Sequence, residues 1–429
     1  MFLNGVTQRV AASPRIAKRV KLPAVDVSVK LLFLQYCLTV QSMAFGIALL
    51  LILIAPEWAA AAPYLPKDDA AVLERLPGKR SDPAAAELRE LRTAVAAAPK
   101  DADAASRLAR RYFDLAMAEG DPRYVGYAQA VLRSWPERAG TPAELLVLHG
   151  KLRQYRHDFA AAMADFDLAL QADPASTGAR AWRAAILMVQ ADYAAARREC
   201  LLLAQIADAL QAAACIAYID ATTGKARTAY AHLSAALAAE RDVEPGYQLW
   251  IQTRLGEMAW RFGDLAAAER HFRAGLAVGV NDNFLLAAFA DFLLEQGRAA
   301  EVLPLLKDWA RSDTLLLRLA LAARRLKQAQ GEQYVRNLGD RFADAARRGE
   351  KLHLQEEARF LLDLKGDTRA ALAAASENYR SQREPRDAQI LIEAALAARD
   401  PVAAAPALAW LESSEFESEK LRALAARLK

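Results

Sequence analysis

Apolar residues are arranged in two distinct ways along this chain. Between Leu31 and Ala55 they form an uncharged stretch, LLFLQYCLTVQSMAFGIALLLILIA, whose most apolar core runs from Met43 to Ala55. Beyond residue 100 they recur in short helical runs, and no strand-like alternation interrupts residues 100–429. The runs come in pairs, with Gly or a short polar residue between the two members. This pattern predicts helical hairpins and an all-α fold. A solitary first helix is expected near 83–98, after a Pro-containing, charged linker over 62–82, and residues 414–429 are expected to form a final capping helix.

The pairs repeat at fixed spacing. Counting Ala143 as position 1 of the segment 143–176, Leu146 falls at 4, Gly150 at 8, Phe159 at 17 and Ala162 at 20. Phe166 follows at 24, Ala169 at 27 and Pro174 at 32. The same period separates Phe159 and Ala162 from Tyr193 and Ala196, and Gly263, Leu265 and Phe272 from Gly297, Ala299 and Leu306. It also separates Gly366, Thr368 and Ala371 from Asp400, Val402 and Ala405. Units are read at 102–140, 143–176, 177–208, 210–242, 249–282, 283–312, 314–349, 352–385 and 386–413, with a five-residue insertion around Asp242–Gly246.

These landmarks resemble the tetratricopeptide repeat (TPR), whose 34-residue hairpins put large residues at 4, 11, 17 and 24, small ones at 8, 20 and 27, and proline at 32. His149 at 7 and Arg153 at 11 depart from it. The resemblance implies an α-solenoid over 83–413, a right-handed superhelix of about eight or nine hairpins. No single hairpin buries its apolar face, so neighbours must stack. The family's binding surface is a concave groove faced by positions 2, 5, 9 and 12 of the first helices. On that rule Glu144, Lys151 and Gln154 are candidates in one unit, Trp250, Glu257 and Trp260 in another, and Phe284 and Asp291 in the next. The Lys/Asn clamp by which some members hold a carboxylate is missing: positions 5 and 9 read Val147/Lys151, Ala181/Ala185, Thr253/Glu257 and Ala287/Asp291. A second candidate contact is the insertion at the first hairpin turn, where Asp121, Arg123, Tyr124 and Tyr127 either meet a partner or simply begin the second helix.

Composition agrees with close-packed helices: about 98 of the residues are alanine, a strong helix former with a small side chain. Charge changes the picture more. The formal net charge is +4, but residues 1–61 hold Arg9, Arg15, Lys18, Arg19, Lys21 and Lys30 against only Asp26 and Glu57. The remainder is therefore balanced, which excludes a nucleic-acid partner as the meaning of the basic charge. Basic residues ahead of a short apolar core are the mark of a signal peptide, with cleavage expected after Ala61. The alternative is an uncleaved anchor over 31–55, the only membrane contact expected. The start is Met1 or Met43. Either way residues 62–429 are expected in the periplasm or otherwise outside the cytoplasm. Tyr36 before Cys37 is too large for a lipidation site.

Candidate chemistry is sparse. Gly224-Lys225 lacks the first Gly and the Ser/Thr of a phosphate-binding loop, and Gly224 falls where a hairpin turn is expected. The five histidines show no metal-ligand spacing. Cys200 and Cys215 could pair across successive helices, but are read as two small buried apolar residues. No cofactor is expected. The reading is a non-enzymatic scaffold of the cell envelope that binds a protein or peptide segment in an assembly or export step; the alternative is an enzyme or metal-handling protein with its site in the groove.

Overall fold

In a computed structural model the described residues are 83–428. The expected signal peptide with its cleavage site, the alternative anchor over 31–55 and the expected linker over 62–82 lie outside them. Among the described residues no helix is long and apolar enough to cross a membrane.

Among the described residues the fold is all-α, and 20 helices pack in a repeated arrangement. A solitary helix, α1 (Pro83–Ala97), precedes nine hairpins. These pair α2 (Ala102–Glu119) with α3 (Arg123–Leu132), α4 (Ala143–Tyr155) with α5 (Phe159–Ala172), and α6 (Thr177–Val189) with α7 (Tyr193–Leu203). Next come α8 (Ala209–Thr222) with α9 (Ala226–Ala239), α10 (Pro245–Arg261) with α11 (Leu265–Ala277), and α12 (Asn283–Glu295) with α13 (Ala299–Leu306). The last three pair α14 (Asp313–Arg325) with α15 (Gln330–Arg347), α16 (Leu354–Phe360) with α17 (Thr368–Tyr379), and α18 (Pro385–Ala398) with α19 (Ala405–Ser413). A π-turn at Leu361–Lys365 ends α16, and α20 (Glu419–Ala426) follows the last hairpin.

Local chemistry accounts for these elements. Asp158, Asp192, Asp264 and Asp367 each cap the second helix of a hairpin by accepting a backbone N–H of its first turn. Just before the second helix of each hairpin the chain makes a tight reversal through one left-handed residue. Glycine fills it at Gly120, Gly224, Gly263, Gly297 and Gly366, and a side-chain residue fills it at His157, Ala191, Lys327 and Arg399. The insertion before the fifth unit extends α10 toward its N-terminus, because Pro245 suits the first helical position and Glu244 caps it. Small residues then admit large ones: Gly150 lies against Phe166 and Gly256 against Phe272, both rings fully buried.

Two outcomes differ from the sequence reading. Cys200 and Cys215 are joined in a disulfide that staples α7 to α8, correcting their reading as separate apolar residues. Spacing placed them on successive helices; only the packed faces of those helices bring the sulfurs together. Second, the superhelix returns onto itself, so its inner face is a partly enclosed cavity instead of a continuous open groove. The Arg383 N–H donates to the Val189 carbonyl at 2.7 Å, and Trp410 Nε1 donates to the Tyr193 hydroxyl at 2.7 Å. Arg311 pairs with Glu119 at 3.3 Å. Residues 414–428 do not simply extend the stack: Glu417 accepts from the Ala226 N–H, and Lys420 pairs with Glu295. They thus bind helix ends of the fourth, fifth and sixth hairpins, where Arg261 also lies on the buried Phe416 ring.

Candidate functional site

Closure leaves a chamber of about 1080 Å³ faced by the first helices α10, α12, α14, α16 and α18, with α20 contributing to its wall. The helical period puts every third or fourth residue of these helices on the inner side. In α12 that face carries Phe284, Ala287, Asp291 and Leu294, and in α14 Arg318, Leu321 and Arg325.

The lining is aromatic and charged, and most charges are matched. Buried Arg318 donates to both oxygens of Asp291 at 2.9 and 2.7 Å and to the Thr314 carbonyl at 2.9 Å. Arg359 pairs with Glu393 and, at 3.3 Å, with Asp363. Arg324 and Arg325 donate to the carbonyls of Leu364 and Leu294, so they satisfy helix-end acceptors without meeting a counter-charge there. Trp260 Nε1 donates to Glu295 at 3.0 Å, and its ring meets Phe292 edge-on. Phe284 lies between two guanidinium groups, Arg254 at 4.6 Å and Arg386 at 4.3 Å from its centroid.

A smaller cavity of about 320 Å³ adjoins it and shares Glu257, Trp260, Arg386 and Lys420 with the chamber. Here the Tyr218 hydroxyl donates to Glu384 at 3.3 Å, and Arg254 donates to Glu257 at 2.8 Å. Burial raises the Glu384 carboxyl, but Arg386, Arg254 and the Tyr218 hydrogen bond outweigh it and hold it below the usual range. Asp387, one turn into α18, is pushed up to about 8 by burial and by the neighbouring Glu384 charge.

The sequence-predicted residues divide. Glu257, Trp260, Phe284 and Asp291 line the chamber together. Trp250 does not; it stacks on Tyr247 at 5.8 Å, meets Tyr218 edge-on and packs on the core between α8 and α10. Lys151 lies over the Phe113 ring at 4.2 Å, and burial pushes its amine down to about 8. Glu144 is exposed and pairs with Arg110, and Gln154 is partly buried; neither lines the chamber. In the first hairpin turn Asp121 accepts from Arg123 at 3.0 and 2.6 Å, a local pair. Tyr124 and Tyr127 pack on Tyr112 at 6.3 and 5.5 Å, although Tyr127 remains 48% exposed. Sequence reasoning missed the arginines. Two of them, Arg318 and Arg325, occupy positions 5 and 12 of the divergent unit 314–349, so the same positional rule would have found them. Among the described residues no group of three or more His, Cys, Asp or Glu side chains is placed to hold a metal ion.

No protein-family model matches the chain. No curated protein sequence matches it either. Among solved structures it is similar to a chain of the Cut9–Hcn1 hetero-tetramer of APC/C, at 13% identity over 80% of this chain and 52% of that one, with a TM-score of 0.38. Yeast Tom70 is 10% identical over 80% of this chain and 85% of that one, with a TM-score of 0.39. The TPR domain of P58(IPK) is 14% identical over 74% and 94%, with a TM-score of 0.19. The TPR-like architecture rests on the chain's own nine hairpins.

Proposed function

We propose that this chain is a non-enzymatic interaction scaffold that holds a protein or peptide segment inside its closed superhelix. The observation that carries the reading is the chamber. Five successive hairpins direct their first helices at one space, and they line it with Trp260, Phe284 and a lattice of arginines and carboxylates. Aromatic and Arg side chains are the groups that dominate protein recognition, and a chamber of this size takes an extended segment in preference to a folded domain.

We infer further that the scaffold works outside the cytoplasm, at the cell envelope, with an envelope protein as partner in an assembly or export step. Its basic, apolar leader supports that placement, either as a cleaved signal peptide or as an anchor over 31–55. The Cys200–Cys215 disulfide supports it independently, since structural disulfides persist in oxidising compartments.

The test is capture of partners from envelope extract with the full chain. Trp260→Ala and Phe284→Ala are expected to deplete the captured set. An unchanged set with both variants rules out the chamber as the binding surface.

A further inference from the structure

Arg261, at the C-terminal end of α10, lines the inner cavities without an acceptor, as does Arg427, but Arg427 is solvent-exposed and Arg261 is not. Among the described residues Arg261 makes no hydrogen bond and no ion pair, and its Nε is buried without a partner. One face of its guanidinium lies 4.4 Å from the centroid of Phe416. Arg261 also lines the cavity of about 320 Å³.

The surrounding carboxylates are engaged elsewhere. Glu257 accepts from Arg254, Glu384 from Tyr218 with Arg386 at 3.5 Å, and Glu295 from Trp260 and Lys420. Glu417, also near Arg261, accepts the Ala226 N–H. Glu419 completes the acids of the lining and is solvent-exposed. Arg254 adds a second buried Nε without a partner in the same cavity. A guanidinium edge presents parallel donors that match the paired oxygens of a carboxylate or phosphate.

We propose that this cavity is an oxyanion-binding site anchored by Arg261, with Arg254, Arg386 and Lys420 around it. The ligand supplies the acceptor that the chain withholds. Burial pushes the Arg261 guanidinium down to about 10, against the opposing pull of the nearby Glu257 and Glu417 charges. Because this cavity shares Trp260, Arg386 and Lys420 with the chamber, a segment lying in the chamber can set an acidic side chain on Arg261. That source rests on the scaffold reading; free phosphate offers the same chemistry without it.

Calorimetric titration of the full chain with a hexaglutamate peptide, and separately with inorganic phosphate, tests the site. Saturable binding of either probe is expected, weakened about tenfold or more by Arg261→Met. The melting temperature should stay level or rise, because that variant removes a buried cation that has no hydrogen-bonded counter-ion. Arg261→Lys keeps the charge and loses the fork, so it should bind more weakly at unchanged melting temperature. Peptide binding names a carboxylate source, and phosphate binding alone names the other. No binding of either probe, or equal binding by Arg261→Met, overturns the site. A fall in melting temperature with both variants also overturns it, since Arg261 would then be structural. Phosphate binding that needs Arg261, with no protein captured, keeps the site and removes the scaffold; a captured partner indifferent to Arg261 does the reverse.

Discussion

At the scale of single residues, the repeat is a matter of close contact: where one helix carries no side chain, the other inserts a ring. A Cβ at Gly150 would sit 2.4 Å from Phe166 Cε1, and one at Gly256 would sit 2.8 Å from the same atom of Phe272. Gly126, within α3, meets nothing within 4 Å. Gly150→Ala is therefore expected to destabilise the chain by about 1–3 kcal/mol through overpacking. Gly126→Ala should instead stabilise it by up to about 1 kcal/mol through helix propensity. Urea midpoints of the two variants check both signs together. Position 8 was legible in the sequence because small residues recur there at a fixed distance from the large residue at 24. Lys151 was harder to place. Its position in the repeat pointed to a groove, but Phe113 and Trp182 of neighbouring hairpins hold its ammonium against their rings.

At the scale of elements, each hairpin needs one left-handed residue at its turn, and the chain pays this backbone cost even where glycine is absent, at His157, Ala191, Lys327 and Arg399. Sequence reading found the hairpins despite those substitutions, since the helical period on both sides of the turn carries the signal. It misread the cysteines because periodicity says which residues share a helix face, not which faces meet. The disulfide closes a loop of sequence separation 15 between α7 and α8. Replacing both cysteines by alanine should cost about 3 kcal/mol by the loop-entropy argument. Reduction of the parental chain should lower its melting temperature similarly, and an identical melting curve with and without reductant would sink the assignment.

At the scale of the whole molecule, closure decides what the inner face can do. The return of the last hairpins onto the third and fourth converts an open groove into a chamber, through contacts such as Trp410 with Tyr193 and Glu384 with Tyr218. Residues 414–428 complete the wall with buried Phe416 and Leu421. Deleting residues 414–429 is expected to raise the radius of gyration measured by small-angle scattering and to expose Arg261 and Trp260. A scattering curve unchanged by the deletion would mean that hairpin stacking alone sets the shape.

The sequence by itself determined the helices, their pairing into hairpins and their stacking order, because period, caps and small-to-large contacts act between residues fewer than 40 apart. It also located the excess basic charge in residues 1–61. Only the tertiary structure decided that the groove closes, that Trp250 belongs to a core while Trp260 faces the chamber, and that Cys200 meets Cys215. Those outcomes depend on small rotations between successive hairpins. They accumulate until hairpins far apart in sequence touch, and no periodicity within one unit records their sum.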